Sequence, residues 1–152
     1  MKRLLSLLVL FELVTGWTFA QVSVQKLLTE NRTDPIGIDV PMPRLSWQLT
    51  SSRQNVRQTA YEIRVGVDAA SLAKGTIWQS GRVSSDQSVH VPYAGPSLQP
   101  GQRYIWQVRV WDNTTTKSSA WSSPAHWQTG LLTAANWKAS WIQPGFVEDT
   151  IN

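Results

Sequence analysis

Few side chains in this 152-residue sequence are of types that do chemistry. Beyond the first twenty residues the acids are Glu30, Asp34, Asp39, Glu62, Asp68, Asp86, Asp112, Glu148 and Asp149, and the histidines are His90 and His126. Two carboxyls about 6.5–9.5 Å apart across a cleft would suit inverting hydrolysis of a glycosidic bond. These acids instead fall in expected loops, at strand ends or on a solvent-facing row. Asp34 precedes Pro35 and fits turn chemistry, while Asp86 and Asp112 fit loop caps. Each histidine alternates against inward neighbours, so both are expected to face outward, away from any serine–acid pattern. The absence of cysteine excludes disulfides, thiolate metal sites and cysteine nucleophiles. Without a histidine pair at ligand spacing, zinc is not expected. There is also no phosphate-cradling glycine loop and no dinucleotide fingerprint. The residues therefore point to no catalytic group, no cofactor and no metal.

The tryptophans are the other group able to act on a ligand, and there are nine. Trp111 and Ile105 fall on the row opposite the expected core, with Trp121 and Trp127 nearby in sequence. Exposed indoles can stack on sugar rings. Arg64 and Arg109 share that outer row, however, and a guanidinium over an indole gains roughly 0.5–1 kcal/mol at exposed sites. The expectation is a Trp–Arg ladder, or burial against a neighbouring module, built from Arg64, Arg109, Trp111 and Trp121. Direct glycan contact is not expected.

The elements that would position these residues are short strands. Apolar residues recur with period two between turn residues, and no segment keeps a helical period over three turns. The expected strands are Val22–Leu28, Leu45–Leu49, Thr59–Val67, Ile77–Ser80, Ser88–Val91, Arg103–Asp112 and Ala125–Thr129. Residues 68–75 read as a loop with one helical turn. Pro92 confines its strand to an edge or an end. The inward rows place Trp47, Tyr61, Ile63, Val65, Tyr104, Trp106, Val108 and Val110 in the core, together with Leu45, Leu49, Val67, Val89 and Val91. The whole is an all-β, seven-stranded sandwich whose connections are hairpin-like rather than helical crossovers.

Residues 1–20 read as a secretory signal peptide. Lys2 and Arg3 precede an apolar run from Leu4 to Phe11, and the segment ends in Thr18-Phe19-Ala20. The expected location is therefore secreted or periplasmic, with no membrane contact after cleavage. The formal charge is +4, but the basic residues form no run, so a nucleic-acid partner is not supported.

Leu98-Gln99-Pro100-Gly101-Gln102-Arg103-Tyr104, continuing through Val110, resembles the corner of the fibronectin type III fold, itself immunoglobulin-like. There the tyrosine ring packs inside and its hydroxyl returns to the backbone near the turn. A narrower resemblance is carried by Asp34-Pro35-Ile36-Gly37-Ile38-Asp39, Pro43-Arg44-Leu45-Ser46-Trp47, Gln58–Ile63, Trp78–Gly81, Ser85–Ser88 and Val91–Tyr93. Trp106–Asp112, Ala120-Trp121-Ser122 with Pro124, and Trp137–Ile142 continue it. In this order the stretches are similar to the start of bacterial α-L-rhamnosidases, which are glycoside hydrolases.

The resemblance implies an accessory N-terminal domain, with rhamnosyl hydrolysis performed by downstream catalytic modules of the same polypeptide. No catalytic residue carries over. The implied organisation is a signal peptide at 1–20, a sandwich at 21–130 and a linker with the start of a next module at 131–152. Trp137, Trp141, Ile142, Phe146 and Val147 crowd that tail and suggest an N-terminal fragment of a larger enzyme. The alternative is a free-standing secreted module that binds glycan or protein.

Overall fold

A computed structural model describes residues 22–140 and 142. The signal-peptide reading and Trp141, Phe146 and Val147 lie outside these residues. The strands are β1 (Ser23–Thr29), β2 (Arg44–Thr50), β3 (Gln58–Gly66), β4 (Trp78–Gln79), β5 (Val91–Pro92), β6 (Arg103–Asp112) and β7 (Ala125–Gln128). They form two antiparallel sheets, ordered β1-β2-β5 and β4-β3-β6-β7. The all-β sandwich of seven strands is the architecture expected from the period-two pattern. Among the described residues, no helix is long and apolar enough to cross a membrane.

β3 and β6 form the centre. Their register pairs Tyr61 with Val110, Ile63 with Val108 and Val65 with Trp106. All six of these side chains are buried. Trp47 and Leu45 from β2 and Tyr104 from β6 close the interior from the facing sheet and the corner. The aromatic rings meet edge-on or stacked: Trp47 with Tyr61 at 5.2 Å, and Tyr104 with Trp127 at 5.3 Å between centroids. Gln58 is the polar key to this interior. Its Oε1 accepts from Trp47 Nε1 at 3.0 Å, and its Nε2 donates to the Ser85 and Gln87 carbonyls. A buried amide satisfied on both sides ties the start of β3 to the loop beneath it.

The Tyr104 hydroxyl accepts from the Gln99 backbone N–H at 2.8 Å, closing the corner. Tyr104→Phe keeps the packing and removes that acceptor from an exposed turn. The expected cost is about 1 kcal/mol in urea unfolding, with an unchanged m value.

Burial pushes the Tyr93 phenol from 10.0 up to about 12, with the Tyr104 side chain adding to the effect. Its hydroxyl also donates to the Pro96 carbonyl at 3.0 Å. Between those two pH values the unfolded chain releases the phenolic proton while the folded one keeps it. The stability tied to this group is whole below pH 10.0 and is lost as the pH rises towards about 12. The melting temperature is therefore expected to fall steeply above pH 10.0, and Tyr93→Phe to flatten that limb.

Two expected inward positions change, and the first strand is irregular. β1 carries a bulge between Gln25 and Leu28, with Lys26 at φ 48°. The extra residue resets the alternation, so Val22 and then Leu27 are buried. Val89 is 56 % exposed rather than inward, because His90 at φ 55° turns the chain between Val89 and Val91. Val67, just past the end of β3, is 37 % exposed rather than inward.

Residues 69–74 form a short helix, α1 (Ala69–Lys74). Asp68 Oδ1 accepts from Ser71 N, and Gly75 ends the helix in the left-handed region. The Ser71 amide holds the Asp68 carboxyl below its ordinary range. α1 packs so closely on Gly66 that a Cβ there would run into the Leu72 backbone.

Candidate functional site

The outer face of the four-stranded sheet gathers the side chains singled out for their chemistry. The β3–β6 register sets Glu62 opposite Arg109, Arg64 opposite Gln107 and Ala60 opposite Trp111. Trp121 comes from the irregular segment after β6. That segment is held to the strand by serine: Val110 N donates to Ser119 Oγ and Val108 N to Ser122 Oγ, while Ser119 N and Ser122 N donate back to the same two residues' carbonyls. Both serines are buried. They carry the edge pairing where the chain does not form a regular strand.

On this frame five side chains interleave as Arg82, Trp111, Arg109, Trp121 and Arg64. The guanidinium carbons stand 4.8 Å (Arg82) and 5.3 Å (Arg109) from the Trp111 ring centroid. They stand 4.7 Å (Arg109) and 4.1 Å (Arg64) from that of Trp121. The structure thus brings Arg64, Arg109, Trp111 and Trp121 together. It adds Arg82, which the sequence reading missed. Residues 80–83 run beside β3 through the Tyr61–Val83 bridge, and nothing in the local pattern marked Arg82 as part of an edge.

Two of the three cations are also hydrogen-bonded, while Arg82 is exposed and, among the described residues, meets only the Trp111 ring. Arg109 contacts Glu62 Oε2 at 2.6 Å through Nη2 and 2.7 Å through Nε. Arg64 donates twice to Gln107 Oε1 and once to the Ala73 carbonyl. Burial, and then the neighbouring Arg109 charge, pull the Arg64 guanidinium below its ordinary range.

Glu62 lies at the base of the stack and is 5 % exposed, not on a solvent row as expected. Gln79 Nε2 donates to its other oxygen at 2.5 Å. Trp127 is not an outward aromatic either, being wholly buried against Tyr104 and Tyr93.

The other acids that are not fully exposed are committed as well. Glu30 forms a bidentate pair with Arg44, whose hydrogen bonds hold its carboxyl below the usual range. Asp34 Oδ1 accepts from the His126 backbone and lies 3.2 Å from its Nδ1. Asp112 Oδ1 caps the next turn through Thr114 N and Thr115 N. In the loop at 85–87 it is Ser85 that accepts from Gln87 N. His90 Nε2 meets Asn31 Oδ1 at 2.8 Å. Among the described residues, no group of three His, Cys, Asp or Glu could hold a metal ion. The outer face is thus a closed polar and π network that stiffens the sheet.

A family model described as the Rha78A-like, N-terminal immunoglobulin domain matches residues 24–133, well over half of the chain. The chain belongs to this family. An α-L-rhamnosidase of Streptomyces avermitilis is 51 % identical over 108 residues, which is 71 % of this chain and 10 % of that protein. One from Formosa agariphila is 36 % identical over 120 residues, covering 77 % of this chain and 12 % of the relative.

The crystal structure of the Streptomyces avermitilis α-L-rhamnosidase complexed with L-rhamnose superposes with a TM-score of 0.77 at 47 % identity, over 80 % of this chain and 12 % of that one. The α-L-rhamnosidase from Dictyoglumus thermophilum gives 0.75 at 36 % identity, over 80 % and 14 % respectively. This immunoglobulin-like domain therefore spans only about a tenth to a seventh of these relatives.

Proposed function

We propose that this domain is the non-catalytic N-terminal module of an exported α-L-rhamnosidase. Other modules of the same polypeptide would hydrolyse terminal α-L-rhamnosyl residues. The observation that carries this reading is the 51 % identity to a rhamnosidase along a stretch that makes up only 10 % of the relative. The state of the acids supports it. Glu62, Glu30, Asp34 and Asp112 are each tied to a cation, a histidine or turn amides, and none is left as a paired general acid and base. The outer tryptophans are sandwiched by arginines instead of being open to a sugar ring. The job left to the domain is mechanical: a rigid sandwich that packs on its neighbours and stabilises them.

The test is a chimera of the Streptomyces avermitilis enzyme in which residues 22–140 replace the matching stretch. Deleting that stretch is expected to lower the melting temperature, and the graft to restore it with kcat on an aryl rhamnoside unchanged. A graft that restores no stability, or that changes which glycosidic linkage is cleaved, would count against the reading.

A further inference from the structure

Among the described residues, six of the eight exposed large apolar side chains sit on two stretches of chain: Ile36, Val40 and Met42 before β2, and Leu131, Trp137 and Ile142 after β7. The two stretches are stitched together. Gln128 N donates to the Pro35 carbonyl, Ile38 N to that of Gln128, and Gly130 N to that of Ile38. Ile38 and Thr129 form a parallel bridge, so residues 35–39 extend the four-stranded sheet beyond β7. Ile38 is buried in doing so, while Ile36 is 74 % and Met42 65 % exposed.

Where the stretches meet lies a concavity of about 500 Å³, lined by Asp39, Gly130, Leu131, Leu132, Thr133, Ala134 and Trp137. Asp39 is exposed and has no hydrogen-bond or ion-pair partner among the described residues. A short 3₁₀ turn at Ala134–Asn136, closed by Thr133 N and Oγ1 donating to Asn136 Oδ1, forms one wall and presents Trp137 at 58 % exposure.

We propose that this surface, and not the Trp–Arg face, is where the domain seats the next module of the same polypeptide. The inference rests on the rhamnosidase reading above. The occupant follows from where the chain runs: it leaves the sandwich across this patch, from Leu131 to Trp137, and the relatives continue for most of their length outside the matched region. Residues that follow a short linker reach the adjoining surface first. The occupant's chemistry is set by the patch: an apolar surface for Ile36, Met42 and Trp137, with a cationic or N–H donor for the Asp39 carboxylate in their midst. The Trp–Arg face has less such demand, since its indoles are covered by guanidinium groups and its two inner cations, Arg64 and Arg109, are hydrogen-bonded within the domain.

Hydroxyl-radical footprinting reads this without any substitution in the patch. Met42 and Trp137 are expected to oxidise readily in the full 152-residue chain and to be protected at least fivefold in the active chimera, with Trp111 and Trp121 unchanged. Equal reactivity of Met42 and Trp137 in both, or protection that falls on Trp121 instead, would overturn the proposal. Rhamnosidase turnover and the melting temperature of the chimera report on the accessory-module reading separately.

If the chimera does not fold, the whole chain is added to the Streptomyces avermitilis enzyme stripped of its matching stretch. Wild type is expected to raise that enzyme's melting temperature, and Val40→Lys/Met42→Lys to lose the effect while melting alone like wild type. No rise with wild type, or an equal rise with the variant, would also overturn the proposal.

Discussion

Arg109→Met is expected to destabilise the domain by about 3 kcal/mol, the low end of what breaking a buried ion pair costs. Methionine keeps the aliphatic stem between Trp111 and Trp121 but removes the only cation bonded to Glu62 among the described residues. That carboxylate is 5 % exposed and cannot recover its hydration without opening the face. Gln79 still donates to Glu62, and the Arg109 side chain is one-third exposed, so the upper end of the range is not reached.

For a sandwich of this size such a loss lowers the melting temperature by about 4–8 °C for each kcal/mol. The double variant Glu62→Gln/Arg109→Met is expected to recover most of it, because no orphaned charge remains. Urea unfolding of the four proteins gives the coupling directly. A single-variant cost under about 1 kcal/mol would mean that the pair behaves like an exposed one and that the ladder is decoration.

The second large effect separates tryptophans that look alike by burial. Trp47 and Trp127 are both almost wholly buried, at 2 % and 0 %. Trp47 donates to Gln58, whereas Trp127 Nε1 has no acceptor among the described residues. Replacement by phenylalanine removes comparable volume in both cases. In Trp47→Phe it also leaves the Gln58 carbonyl oxygen without its donor inside the core. That adds about 1–3 kcal/mol, so Trp47→Phe should be the more damaging change by that margin. Trp127→Phe pays only packing and cavity terms. Thermal melts of the two variants side by side give the answer. Equal losses would show that the Trp47–Gln58 bond contributes nothing net.

Most of the strand positions could be read from the sequence because β6 alternates cleanly over ten residues and buries one full row, and β3 does the same with Tyr61, Ile63 and Val65. The Tyr104 corner was legible through the resemblance of Leu98–Tyr104 to the corner of the fibronectin type III fold, and the hydroxyl does return to the turn at Gln99. What escaped the reading depends on backbone turns that residue type does not announce. Lys26 and His90 take positive φ without being glycine, and the first re-phases β1 while the second turns Val89 outward.

The depth of Glu62 was hidden because its row also carries Arg64, a pattern identical to that of a solvated face. Only the chain at 118–122 and Gln79, folding over that row, make it an interior. Arg82 joined the ladder through a bridge formed after the Gly81 turn, where no alternation exists to be read. Nothing in the alternation marked Ser119 or Ser122, yet their hydroxyls accept from the β6 backbone where no regular edge strand forms.

One measurement bears on the central claim, that this chain is a scaffold and its chemistry lies elsewhere. The purified chain, shown to be folded by a cooperative melt, is incubated with an aryl α-L-rhamnoside at high protein concentration. No release above the buffer blank is expected. Steady turnover by the folded chain that vanishes in Glu62→Gln would contradict the account, because it would put a working carboxyl where the structure has a locked one.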